Sequence, residues 1–133
     1  MDIILLVGRI LFAALFIGSA VGHLTQADGM AGYAQAKGVP FAKLSVELSG
    51  VVLALGGLSV LFGIYGEIGS LLLALFLLPT AFLFHNFWTE KDPQAKQMAQ
   101  ISFNKDIALA GAALALAWVF AQGPGLAITS PLI

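Results

Sequence analysis

Residues 68–88 read IGSLLLALFLLPTAFLFHNFW, a stretch with no Asp, Glu, Lys or Arg. A helix needs about 20 apolar residues to cross the roughly 30 Å hydrocarbon core of a bilayer, and this stretch is long enough. Three further runs have the same apolar character: residues 3–22, 44–63 and 105–122. The runs lack the alternation of strands and exceed the length of barrel strands, so the sequence predicts four transmembrane helices.

The composition of the whole chain also indicates an integral membrane protein. Hydrophobic residues make up 59% of the 133 residues, charged residues make up 10%, and the mean hydropathy is +0.96. A soluble domain carries about 25% charged residues, so the composition argues against a soluble monomer and against a disordered chain. The formal net charge of −1 argues against a nucleic-acid-binding protein. The absence of cysteine excludes thiol chemistry within this chain.

The four spans use more than half of the chain, and we expect one transmembrane domain over residues 1–133 with an all-α, four-helix bundle fold. The first loop carries a helix-like pattern. Asp28 can cap a short helix, Gly38 can end it, and Pro40 prevents the helix from resuming. The pattern predicts either a short interfacial helix over Asp28–Lys37 or an ordinary polar loop.

The distribution of basic residues predicts the orientation of the chain. Five lysines lie in or beside the loops at residues 24–43 and 89–103: Lys37, Lys43, Lys91, Lys96 and Lys105. Arg9 is the one basic residue towards the other side. The positive-inside rule then places both loops in the cytoplasm and both termini outside, in a bacterial inner membrane.

Arg9 interrupts the first span, where a charged group is costly. The side chain can snorkel to the outer interface, or it can face the interior of the bundle. The helical period favours the interior, since it places five residues on one face: Arg9, Ala13, Phe16, Ala20 and His23. The charged residues expected at the same depth as Arg9, and so its candidate partners, are Glu67 and Asp2.

Polar residues gather at the cytoplasmic ends of the predicted helices. The residues concerned are His23, Glu47, His85, Asn104 and Lys105. A closed four-helix bundle brings several of them within about 10 Å, one interhelical spacing. The cluster is either a structural network that ties the helix ends together or a site for a small molecule or a proton.

Two more detailed expectations follow for this cluster. We expect Glu47 and His85 to interact directly or through one water, because either group is costly in lipid. We also expect Asn104 to cap the fourth helix, which places Asp106 in a first turn, where the helix dipole favours an acid.

No haem, flavin or metal motif is present in the sequence. Two histidines could ligate haem, and His23, Glu47 and His85 could bind a metal ion, but their spacing does not specifically favour either. We therefore expect no metal site and no evident cofactor, and we assign no catalytic residue. The absence of a nucleophile elbow and of a phosphate loop argues against a hydrolase or a nucleotide enzyme.

Five motifs occur in a fixed order along the chain. They are Arg9 with Gly18, Lys37-Gly38-Val39-Pro40, Glu47-Leu48-Ser49-Gly50, His85-Asn86-Phe87-Trp88, and the segment 104–111 that begins Asn104-Lys105-Asp106. Over nearly the whole length, this set resembles the DoxX family of small four-helix bacterial membrane proteins. The recurrent polar positions of that family correspond to Arg9, Glu47, His85 and Asn104.

The resemblance implies a link to membrane oxidoreductase assemblies, because relatives include a partner of superoxide dismutase and a subunit of a thiosulfate:quinone oxidoreductase. It favours a redox-associated membrane subunit over an autonomous enzyme, with a quinone pocket near His85 and Glu47. The expected partners are the lipid bilayer, redox-enzyme subunits and a second copy of the chain. The alternative is a non-catalytic scaffold or transport-like bundle in which the polar cluster only fixes the packing.

Overall fold

The computed structural model describes residues 2–129. These residues form five α-helices and one short 3-10 helix: α1 (Asp2–Thr25), α2 (Ala27–Ala36), α3 (Ala42–Phe62), α4 (Gly66–Phe84), the 3-10 helix (Phe87–Thr89) and α5 (Pro93–Ala121). Helices α1, α3, α4 and α5 are each long and apolar enough to cross a membrane. The predicted all-α membrane fold is confirmed, and the first loop contains the short helix α2.

Local backbone geometry explains where two of these helices end. Gly38 follows α2 with φ of +84°, and Gly63 caps α3 with φ of +67°. Glycine adopts this left-handed conformation without the steric cost that a side chain brings. Gly38 therefore ends the short helix as the sequence predicts. The N-terminal cap of α2 differs from the prediction, because Gln26 occupies that position and Asp28 forms an ion pair with Lys43 instead.

The fourth membrane helix begins earlier than the sequence predicts. Asp92 is its N-cap, where the carboxylate accepts a hydrogen bond of 3.0 Å from the backbone N–H of Ala95, and Pro93 occupies the first turn. The expected helix start at Asn104 is therefore wrong. Hydropathy identified the apolar part of α5, whereas the first turns of α5 are polar and extend the helix beyond that part.

The four long helices pack mainly in the order α1, α3, α4, α5. Helix α1 makes its main contact with α3, and α5 makes its main contact with α4. Within residues 2–129, no extensive backbone contact joins α1 to α4 or α5. Large side chains such as Phe16 and Phe120 fill the space between these helices in one part of the bundle. A cavity occupies that space at the end nearer α2.

Glycines permit the close approach of α3 to α1. A side chain at Gly50 would lie 2.9 Å from Cβ of His23, and one at Gly57 would lie 3.0 Å from Cγ1 of Ile17. The face of α3 that carries Gly50 and Gly57 therefore packs against α1, as small-residue faces do in other membrane helix pairs. Gly18 of α1 is different, because nothing lies within 4 Å of the position of its Cβ.

Candidate functional site

The main cavity has a volume of about 820 Å³ and lies beneath α2, with all four long helices contributing to its walls. Ligand pockets for small molecules have volumes of about 300–1,000 Å³ and are mostly apolar with a few polar groups. The apolar walls include Leu15, Phe16, Leu53, Phe76 and Leu109. The polar groups in the lining include His23, Ser49, Thr80, His85, Lys105 and Asp106. The cavity therefore has the size and composition of a ligand site.

A close contact between His85 and Asp106 forms part of the cavity wall. Nε2 of His85 lies 3.3 Å from Oδ2 of Asp106, and the aspartate side chain is only 10% exposed. Because a carboxylate is an acceptor, this contact assigns the imidazole hydrogen to Nε2. In the neutral histidine Nδ1 is then an acceptor, and it makes no hydrogen bond to another residue within 2–129. This ring nitrogen is free to accept a hydrogen bond from a ligand.

Lys105 also lines the cavity, one residue before Asp106 on α5. Its ammonium group makes no hydrogen bond or ion pair within residues 2–129. An ammonium group is a donor only, so it can donate to a carbonyl or hydroxyl oxygen. Lys105 and His85 together provide one hydrogen-bond donor and one acceptor at the same cavity.

His23 lies on the opposite wall of the cavity, where it is tied to α3. Nδ1 of His23 is 2.7 Å from Oγ of Ser49, and that hydroxyl also lies 2.7 Å from the carbonyl oxygen of Val46. If the serine donates its single proton to Val46, the histidine must donate to the serine. The ring of His23 meets Phe76 edge-on at 6.5 Å. His23 therefore has local partners, unlike Nδ1 of His85.

Helix α2 covers the cavity and is fastened at three points. Asp28 forms an ion pair of 3.1 Å with Lys43 at the start of α3. The Tyr33 hydroxyl donates to the carbonyl oxygen of Phe84, and the Lys37 ammonium donates to Oδ1 of Asn86 over 2.9 Å. These contacts hold α2 against α3 and against the end of α4.

The cavity brings together three of the five residues in the predicted polar cluster. His23, His85 and Lys105 line it, whereas Glu47 and Asn104 do not. Within residues 2–129, no hydrogen bond or ion pair joins Glu47 to His85, so the expected direct contact between them is wrong. Glu47 is half-buried on α3, one turn from Lys43, and Asn104 is exposed on α5.

Asp106 is the site residue that sequence reasoning misplaced. The expectation put it in the first turn of a helix, where the dipole explains an acid. Because α5 begins at Pro93, Asp106 lies several turns inside the helix and is buried. A buried carboxylate within an apolar helix needs a partner, and the Asp92-Pro93 start signal could have revealed this position.

Arg9 lies at the other end of the bundle and is completely buried. Nε donates to the carbonyl oxygen of Val60, Nη2 to that of Leu61 and Nη1 to that of Leu126, each over 2.9 Å. The guanidinium also lies 5.4 Å from the ring centroid of Phe120. The interior position is thus confirmed and snorkelling is excluded. These three hydrogen bonds all reach main-chain carbonyl groups.

The segment that follows α5 packs over the turn between α3 and α4. The backbone N–H groups of Ile128 and Thr129 donate to the carbonyl oxygens of Phe62 and Gly63, over 3.1 and 3.0 Å. The Thr129 hydroxyl accepts from the backbone N–H of Tyr65 over 2.7 Å. The hydrogen bond from Arg9 to Leu126 holds the same segment. Arg9 therefore has a structural role, and this role lies far from the cavity.

A double-mutant cycle tests the contact between His85 and Asp106 in the cavity wall. We expect His85→Gln and Asp106→Asn to be non-additive in unfolding free energy by more than about 0.5 kcal/mol, because the two side chains touch. The control cycle combines His85→Gln with Glu47→Gln and should be additive. Additivity in the first cycle would contradict the His85–Asp106 contact.

Comparisons with known proteins identify the family of the chain. The sequence pattern of the DoxX family matches residues 4–86, which cover α1 to α4. The chain is 36% identical over 124 residues to "Inner membrane protein YqjF" of Escherichia coli (strain K12), covering 93% of this chain and 87% of that protein. No solved structure matches. Within residues 2–129, no group of three or more His, Cys, Asp or Glu side chains could hold a metal ion. The chain is an integral membrane protein that belongs to the DoxX family.

Proposed function

We propose that this chain is the quinone-binding subunit of a membrane redox assembly. The observation that carries the proposal is the cavity of about 820 Å³, which combines apolar walls with the free polar groups of His85 and Lys105. In this proposal the chain holds the quinone, and a partner subunit exchanges electrons with it. The relation of other DoxX-family members to quinone-linked enzymes supports the choice of ligand.

The polar groups of the cavity match the head of a quinone. A quinone presents carbonyl oxygens, which accept hydrogen bonds, and a quinol presents hydroxyl groups, which also donate them. The Lys105 ammonium can donate to either form, and Nδ1 of His85 can accept from a quinol hydroxyl. Phe76, Leu53 and Leu109 provide apolar surface for the rest of the molecule.

The His85–Asp106 pair can also hold a proton. If Nδ1 of His85 takes the proton of a bound hydroxyl group, the ring becomes an imidazolium cation. The carboxylate of Asp106, 3.3 Å from Nε2, then stabilises that cation. Asp106 is thus the carboxylate beside His85, the position that the sequence analysis expected Glu47 to occupy.

The proposed location is a bacterial inner membrane, with the segments at residues 24–43 and 89–103 in the cytoplasm. The name of the Escherichia coli relative supports a location in the inner membrane, and the five lysines support the orientation.

Reporter domains fused to the chain test this orientation. A reporter fused after Gln97 should report a cytoplasmic location, and one fused after residue 133 should report an external location. The opposite pattern would contradict the lysine argument.

One observation favours a purely structural cluster. His23, Lys37 and Asp106 each have a partner within the chain, so much of the polar surface is satisfied without a ligand. A scaffold or transport-like bundle needs only such a network. The free groups of Lys105 and His85 are what a scaffold does not explain.

A titration with decylubiquinone tests the proposal. We expect saturable binding to the protein in lipid nanodiscs, measured against empty nanodiscs. Lys105→Gln should weaken it about tenfold, because a hydrogen bond from a charged group contributes about 1.5–3 kcal/mol. Lys96→Gln is the matched control, since Lys96 is exposed on the same helix and does not line the cavity. If nanodiscs with the protein take up no more decylubiquinone than empty nanodiscs do, the quinone proposal is contradicted and the scaffold becomes the favoured function.

A further inference from the structure

A second cavity of about 450 Å³ adjoins the main one on the outer side of α1. It shares four lining residues with the main cavity: Leu15, Ser19, His23 and Met30. Its other lining residues are Ala14, Gly18 and Gly22. We call this second cavity the α1 groove. The shared residues show that the two spaces are neighbours along one wall of the site.

The α1 groove is open towards the surroundings of the bundle. Gly18 is exposed, and nothing lies within 4 Å of the position of its Cβ. Cε of Met30 on α2 lies 3.5 Å from the position that a Cβ at Gly22 would take, so Met30 borders one end of the groove. Because α1 is a membrane helix, the surface around Gly18 faces the hydrocarbon region of the bilayer.

Helix α2 covers the main cavity on one side and is held there by the Asp28–Lys43, Tyr33–Phe84 and Lys37–Asn86 contacts. The α1 groove adjoins the main cavity and offers a molecule with a polar head near His85 and Lys105 an apolar route sideways along α1. That route continues into lipid without crossing α2.

We propose that the α1 groove is a subsite for the alkyl tail of a membrane-dissolved quinone whose head occupies the main cavity. This inference rests on the proposed function and adds the class of ligand, a quinone with a long apolar tail rather than a small free quinone. The tail lies against Ala14, Gly18 and Gly22, and Ser19 marks the passage between the two cavities.

The test compares two quinones and two glycine variants. Gly18→Leu adds bulk to the groove, and nothing within the chain lies within 4 Å of the position of its Cβ. Gly8→Leu is the matched control, because Gly8 is also exposed on α1, has nothing within 4 Å of its Cβ position and lies outside both cavities. Decylubiquinone and the tail-less duroquinone are titrated into the wild type and each variant in nanodiscs.

We expect Gly18→Leu to weaken decylubiquinone binding at least about tenfold, to leave duroquinone binding within about twofold, and Gly8→Leu to change neither. Unchanged decylubiquinone binding, or an equal loss for both quinones, would overturn the tail subsite while leaving the quinone cavity in place. A change of subunit number in Gly18→Leu, measured by native mass spectrometry, would also overturn it, because the groove would then hold a second copy of α1. A wild type that binds neither quinone would refute the proposed function itself.

Discussion

Replacing Arg9 with leucine should lower the free energy of unfolding by about 2–4 kcal/mol, because one buried and two partly buried carbonyl oxygens lose charge-assisted donors. Hydrogen bonds to a charged group contribute about 1.5–3 kcal/mol each, and the removal of a buried charge offsets part of that loss. Thermal unfolding in detergent micelles measures the effect. Hydrogen exchange should also speed up at the Ile128 and Thr129 amides, since Leu126 loses its link to Arg9.

Two further substitutions make the Arg9 test specific. Arg9→Lys should fall between the wild type and Arg9→Leu, because one ammonium cannot reproduce the fixed fork that reaches α3 and the segment after α5. Ile10→Leu is a neutral control at the next, exposed position. If Arg9→Leu unfolds at the same temperature as the wild type, the hydrogen bonds by which Arg9 joins α1 to α3 and to the segment after α5 do not stabilise the fold.

The sequence predicted the buried face of α1 correctly because that information is local. The expected stripe contained five residues: Arg9, Ala13, Phe16, Ala20 and His23. The first four are the buried residues of α1, and His23 is half-buried. A helix fixes the relative direction of its side chains, so one polar and several small or aromatic residues suffice to identify the packed face. For the first loop the sequence left a short helix and an ordinary polar loop open, and the structure has the helix α2, which ends before Gly38.

The sequence did not predict which groups would be partners, because partners depend on more than one helix. Arg9 binds backbone carbonyl groups, which every residue carries and which leave no mark in the sequence. His85 pairs with Asp106 rather than Glu47, because the position of Asp106 depends on where α5 begins and how it packs on α4. Similar depth in the membrane was not enough to place Glu47 in the cavity.

The cavity itself could not be predicted from the spans. A closed bundle with all neighbours in contact would have filled the space with side chains. In the structure α1 packs on α3 and α5 packs on α4, and α2 covers the gap that remains near His23 and His85. The gap depends on the relative placement of helices, which the hydropathy pattern does not determine.

If the main cavity holds a quinone, a bulky side chain placed on the wall of that cavity should abolish quinone binding. Ser19 lines both the main cavity and the α1 groove, is half-buried, and makes no side-chain hydrogen bond within residues 2–129. Ser19→Trp therefore adds bulk at the passage between the two spaces without breaking a polar contact. Ala112→Trp is the matched control, since Ala112 is exposed on α5 and lines neither cavity.

The decisive measurement is a titration of decylubiquinone into the wild type, Ser19→Trp and Ala112→Trp in nanodiscs, with the melting curve of each protein recorded alongside. We predict saturable binding to the wild type and to Ala112→Trp. For Ser19→Trp we predict no binding of decylubiquinone beyond its partitioning into empty nanodiscs. The melting curve of this variant should still show a cooperative unfolding transition. Equal binding by all three proteins would place the quinone outside the cavity and contradict the account.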